Sequence, residues 1–361
     1  MHEFAADAAQ IARERHARGE ITRRELLVAL AGLGLAGPAL AQPSELVVAN
    51  YGGDAATAMD TAFNQPFAKQ TGIKVVTDGA GPTAGRIRAM VESGRVTWDV
   101  CDSGPGSCLE LGNAGLLEEM DWSVVKRDAV TDPRFAFPWG IANYTFSFVL
   151  AYDRSRFAAD PPRSWADFWD VRKYPGKRTM WTRNILGICE SALMADGVKP
   201  ADLYPMDVDR AMRKLAEIRP HLIGWQTGAM SQDLLRTGEV VMGNVWNTRV
   251  SHLIRESGTR FAFTWNQGIL APGVWVVPKG NQAGKATAMR YIAATQNPEW
   301  QIEFLRLNGS GPANPAAAPL VPEPLRAIDP SSHAAAQAIF DGQWYGQHQT
   351  RTLERWLDLV G

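Results

Sequence analysis

The stretch 137–153 constrains this chain more than any other. It opens with an aromatic turn, Pro138-Trp139-Gly140, then runs from Tyr144 to Tyr152 with no charged side chain until Asp153. Such a β-prone run reads as a strand buried on both faces. It sits mid-chain, where one strand–helix pattern ends and another begins. The chain is therefore read as crossing here between two lobes, with Trp139 at the floor of the cleft between them. The plainer alternative is an ordinary core strand after a Pro-Gly turn, since buried aromatic strands are common.

At 361 residues the chain exceeds one ordinary core, so two core units are expected. A net charge of −1 gives no basis for nucleic acid or an anionic membrane as a partner. The 13 tryptophans suit a core, and also a site that grips a ligand by stacking or cation–π contact. The cysteines Cys101, Cys108 and Cys189 form no CxxC and have no histidine close in sequence. No zinc site, metal or cofactor is expected from them. In an exported protein Cys101 and Cys108 could close a small disulfide loop, or remain buried thiols.

The first residues read as an address rather than as fold. Arg23-Arg24 follow Thr22, an apolar run extends to Ala36, and Ala39-Leu40-Ala41 precede Gln42. A run of about 11 apolar residues is too short to span a bilayer as a helix. Basic residues, a short apolar run and an A-x-A site make a secretory signal, and the paired arginines match twin-arginine export. Residues 1–41 are assigned to that signal, with cleavage near Ala41-Gln42 and a periplasmic mature chain.

From residue 44 onward, strand patterns alternate with helix patterns, which means βαβ units and parallel pairing. Ligands bind beyond the carboxyl ends of such strands. Three loops fall there: 50–54 with Tyr51 and Gly52, 78–83, and 102–106 with Ser103 and Gly104. After the crossing, a strand ends at Trp181, followed by Arg183 and Asn184, and an arginine there could clamp a carboxylate bidentately. Another strand ends at Trp246-Asn247, an aromatic wall beside an amide. The segment 261–265 leads to 275–278, taken as the return crossing.

Nucleotide and hydrolase chemistry find little support. The glycine loop at 79–85 lacks the Lys-Ser/Thr of a phosphate loop. Ser103 beside Asp102 has neither the G-x-S-x-G spacing nor a histidine in any recognisable motif.

Taken in order, segments 47–53, 70–75, 97–102 with 116–121, 139–153, 164–176, 238–247 and 265–280 resemble the periplasmic solute-binding proteins of ABC transporters. The spermidine/putrescine-binding family is the nearest in pattern. The resemblance implies an α/β, two-lobed periplasmic-binding-protein fold (type II). Each lobe is then a mixed sheet flanked by helices, with hinge crossings near Trp139 and Val274. It implies lobe 1 from residues 42–140 and 274–330, lobe 2 from 141–273, and a tail, 331–361, packed on lobe 2. It also implies a small-molecule ligand between the lobes and membrane permease subunits as partners. Tyr51 matches a ligand-stacking aromatic, Ser103 and Gly104 a binding loop, and Trp246-Asn247 a Trp-Asn pair.

The chain departs from that family where ammonium groups would be held. Segment 268–275 has no acid, and Arg183 and Asn184 stand where acids are expected. A desolvated cation needs an opposite charge, which Glu190 or Asp102 could supply. A ligand carrying a carboxylate, or both an amine and a carboxylate, suits Arg183 better. The expected function is capture of a small organic solute, polyamine-like or amine/carboxylate-bearing, by closure of a monomer. An exported enzyme on the same scaffold is the alternative.

Overall fold

The computed structural model describes residues 44–361 throughout, and 10–11, 14–16, 18–22 and 25 before them. Arg23-Arg24, the apolar run to Ala36 and the 39–41 cleavage motif lie outside the described residues.

Valine-rich segments form the first strands. β1 (Glu45–Ala49) pairs in parallel with β2 (Lys74–Asp78) and with β3 (Val100–Ser103). A helix from Gly53–Met59 runs on through a π turn, Asp60–Asn64, into Gln65–Thr71. It ends at Gly72, whose φ of 74° is the left-handed cap that glycine adopts at little cost. Helices Ala84–Glu92 and Pro105–Asn113 follow β2 and β3.

A short strand, β4 (Ala136–Phe137), leads into β5 (Gly140–Asp153). Beyond it come β6 (Arg178–Trp181), β7 (Leu222–Trp225), β8 (Met242–Trp246) and β9 (Phe261–Val276). Two short pieces, β10 (Gly311–Pro312) and β11 (Ala338–Ile339), pair onto β5 and β9 respectively. The main path is β2-β1-β3-β9-β5-β8-β6-β7. Pairing is parallel among β1–β3 and among β6–β8, and antiparallel wherever β5 or β9 meets a main-path neighbour.

β5 passes from one apolar core to another. Its Ile141 and Ala142 pack with Phe63, Phe67 and Trp275. Its Phe148, Val149 and Leu150 pack with Trp165, Trp225 and Ile188. β9 makes the return as one continuous strand, where two separate pieces were expected. Gly268, Pro272 and Gly273 interrupt the β pattern in sequence. Pro272 sits beside a register shift between Ala142 and Tyr144 of the partner strand, where a strand tolerates a missing N–H.

The terminal helix Gly342–Val360 touches both halves. Its Tyr345 and Trp356 belong to the second core. Its Gly346 faces Leu109 so closely that an added Cβ would lie 3.1 Å from that side chain. Cys101, Cys108 and Cys189 are buried free thiols, so no disulfide loop joins the first two.

Candidate functional site

The ends of β3, β6 and β8 and the middle of β5 meet around one cavity of about 110 Å³.

The first half of the molecule contributes an acid. β3 ends in Asp102-Ser103, and Gly104 caps the helix that begins at Pro105, a favoured first residue. The Asp102 carboxylate is buried, at 3% exposure. The Tyr144 hydroxyl lies 3.0 Å from each of its oxygens and donates to the carboxylate. Tyr144 stands opposite Gly273 across the β5–β9 pair. A Cβ at Gly273 would come 2.1 Å from the tyrosine ring, so glycine makes room for the ring over the strand. Burial pushes the Asp102 carboxyl up to about 7, against the opposing pull of the Tyr144 hydrogen bond.

The second half contributes aromatic walls and a cation. Trp181 stacks on Trp225 with centroids 5.2 Å apart and planes 4° from parallel. Trp246 meets both edge-on, at 5.2 Å and 5.0 Å. Helix Asn247–Ser257 starts directly after Trp246, and Arg249 lies one turn on. Its guanidinium carbon is 5.8 Å from the Trp246 ring centre. Its Nη1 reaches Gln232 Oε1 only at 3.4 Å, and its Nε has no partner among the described residues. Burial lowers its pKa. The indole N–H groups of Trp181 and Trp246 and the Ser103 hydroxyl are likewise buried without a partner among the described residues. Leaving such groups unpaired costs about 1–3 kcal/mol each. The cavity is therefore lined by one acid and one arginine, with aromatic side chains around them.

Five residues singled out from the sequence line this cavity: Tyr51, Ser103, Gly104, Asn184 and Trp246. Five others do not. Gly52 has a φ of 69° and its Cβ position lies 3.0 Å from the Gly79 carbonyl, so it shapes the turn that presents Tyr51. Trp139 packs beneath Gly112 against a further apolar cluster around Leu111 and Val274, and does not line the cavity. β6 ends at Trp181 and the chain bends at Thr182-Arg183, turning Arg183 out to a separate pocket with Arg219 and Trp356. Glu190 is fully buried and accepts from the Tyr204 and Tyr345 hydroxyls at 2.7 Å each. Asn247 accepts from the Ser147 N–H and donates to the Gly309 carbonyl, both at 2.8 Å, tying β5 to the 308–310 loop.

Of the two acids considered for an ammonium, Asp102 is at the cavity and Glu190 is not. Sequence reasoning missed Tyr144, Phe146, Trp181 and Arg249. Tyr144 and Phe146 alternate on β5, and that period of two was the available signal. Arg249 follows Trp246 by three residues, one helical turn, and so shares its face.

Comparison with known proteins fits this geometry. Residues 62–346 match the family described as bacterial extracellular solute-binding protein. A gamma-aminobutyric acid-binding protein of Pseudomonas aeruginosa is 33% identical over 336 residues, covering 91% of this chain and 94% of that protein. The solved structure of a GABA receptor is 36% identical, with a TM-score of 0.80 over 88% of this chain and 98% of that one. A spermidine/putrescine-binding protein of Streptococcus pneumoniae is 18% identical with a TM-score of 0.67, covering 88% and 100% of the two chains. That neighbour shares the fold alone, so the narrower resemblance to polyamine binders gives way to the broader family. The two-lobed α/β fold is common to these neighbours, and the family is one of binding proteins rather than enzymes. The chain belongs to the bacterial extracellular solute-binding proteins.

Proposed function

We propose that this protein captures a small zwitterion bearing a primary ammonium and a carboxylate, with γ-aminobutyrate as the representative ligand. The carrying observation is one cavity lined by both the buried Asp102 and Arg249. The acid belongs to the first half of the chain and the arginine to the second. A ligand that engages both shifts the open–closed equilibrium toward closed. Lobe 1 in this reading is 42–140 with 274–330, lobe 2 is 141–273, and the 331–361 tail braces them. The mature chain works in the periplasm as a monomer, and an ABC permease reads its closed shape. The names of the Pseudomonas aeruginosa relative and of the GABA receptor support the ligand class.

A polyamine presents ammonium groups only and would bring one toward Arg249 without an acid to answer it. Calorimetric titration of the mature chain with γ-aminobutyrate, putrescine and spermidine decides between them. γ-Aminobutyrate is expected to bind at least a hundredfold more tightly than either polyamine. Equal or tighter binding of putrescine, or no heat with γ-aminobutyrate, overturns the assignment.

A further inference from the structure

Helix Asn247–Ser257 carries Arg249, His252 and Arg255 at three-residue steps, which places them along one face. Only Arg249 lines the cavity. Facing this row is Asp54, in the first turn of helix Gly53–Met59, from the other half of the molecule. Its Oδ2 lies 3.5 Å from His252 Nδ1, a nitrogen that accepts from the Arg255 guanidinium at 2.8 Å, so the imidazole is neutral and the charge facing Asp54 there is that of Arg255. The imidazole is 13% exposed and the carboxylate 68% exposed. Burial lowers the pKa of Arg249, His252 and Arg255; the Arg255 and Arg249 charges lower that of His252 further, and the Asp54 carboxylate offsets part of each shift. One acid thus faces two guanidinium groups and a neutral imidazole. Its neighbour Ala55 lines the cavity while Asp54 does not, so the contact sits at the rim.

We propose that Asp54 is a positioning residue for ligand capture: it holds the two halves together over the cavity through the attraction of its carboxylate for the Arg249 and Arg255 charges beside His252, and itself touches no ligand. The effect on affinity rests on the binding function argued above; the contact between the halves does not. A pair this exposed changes an equilibrium by roughly two- to fivefold and is screened by salt. It slows ligand release rather than speeding entry, because the rim contact exists only once the halves have met.

The test compares the wild-type mature chain with Asp54→Asn, Asp54→Glu, Arg255→Gln and the Asp54→Asn/Arg255→Gln double variant. Release of γ-aminobutyrate is followed by tryptophan fluorescence at 20 mM and 500 mM salt. Small-angle scattering of the ligand-free proteins reads the open–closed balance. Asp54→Asn is expected to release ligand two- to fivefold faster at low salt and to converge with wild type at high salt. Its ligand-free form should be more extended. Asp54→Glu should restore the wild-type behaviour, and the double variant should add nothing to the larger single effect. Identical release and scattering for wild type and Asp54→Asn overturns the proposal. So does a loss that Asp54→Glu fails to rescue and that tracks a lowered melting point. If the wild type binds no γ-aminobutyrate, the ligand assignment fails, and scattering still decides whether Asp54 joins the halves.

Discussion

At the scale of single residues, two charges dominate. Asp102 is held away from water with a tyrosine hydroxyl on its oxygens, and its carboxyl is raised from 3.8 to about 7. A raised carboxyl means that the folded protein binds this proton more tightly than the unfolded chain does. Its contribution to stability is thus full below the ordinary carboxylate range and is lost as pH rises through about 7. Tyr144, Tyr51 and Tyr291 are the groups that face it. An ammonium ligand needs the ionised form, so its affinity moves the other way. Binding of γ-aminobutyrate should weaken as pH falls below 7, approaching tenfold per unit, and titrations at pH 6, 7 and 8 would show it. The Asp102→Asn variant should bind weakly with no such slope. Arg249→Gln removes the guanidinium from the carboxylate end and should cost about 2–3 kcal/mol of affinity, roughly a hundredfold. Unchanged affinity there would remove Arg249 from the site.

At the scale of elements, the site depends on what sits behind it. Gly228 begins helix Gly228–Thr237, and a Cβ there would lie 2.3 Å from Arg249 Nε. Gly228→Ala should displace the guanidinium and weaken binding about tenfold, while the melting temperature moves little; calorimetry paired with a thermal melt separates the two. Glu190 does the opposite kind of work. It joins the terminal helix, through Tyr345, to the segment carrying Tyr204 and accepts from the Gly187 N–H at 3.1 Å. Glu190→Ala leaves those donors unpaired in the interior, for about 3 kcal/mol of lost stability. The melting point should fall by several degrees, with ligand affinity of the folded protein unchanged. A change in affinity without a change in melting point would put Glu190 back at the site.

At the scale of the whole molecule, two apolar cores share β5 and β9, and the cavity lies where the sheet passes between them. A ligand held by both halves stabilises the folded chain by mass action. γ-Aminobutyrate at a hundred times its Kd should add about 2.7 kcal/mol. A thermal-shift series should therefore show a rise that continues with concentration, absent in Arg249→Gln.

The crossing strand, the alternation of strands and helices, and the loops at the strand ends were legible from residue order, because hydrophobic period and glycine placement are local. So were Tyr51, Ser103, Gly104, Asn184 and Trp246, which stand at or just beyond the loop ends where a sheet presents its ligands. What local pattern does not carry is direction. Arg183 follows a cavity tryptophan by two residues, yet a bend turns it outward. Glu190 reads as a free acid, yet Tyr204 and Tyr345, 14 and 155 residues further on, enclose it. Arg249 has no signal of its own in the sequence, yet the packing of Trp246 and Gly228 carries it to the cavity. The sequence alone determined the fold and the loops that could bind. Which charges face each other across the cleft was decided only by tertiary packing, because a side chain's partners come from other elements of the chain, as far as 155 residues away for Glu190 and Tyr345.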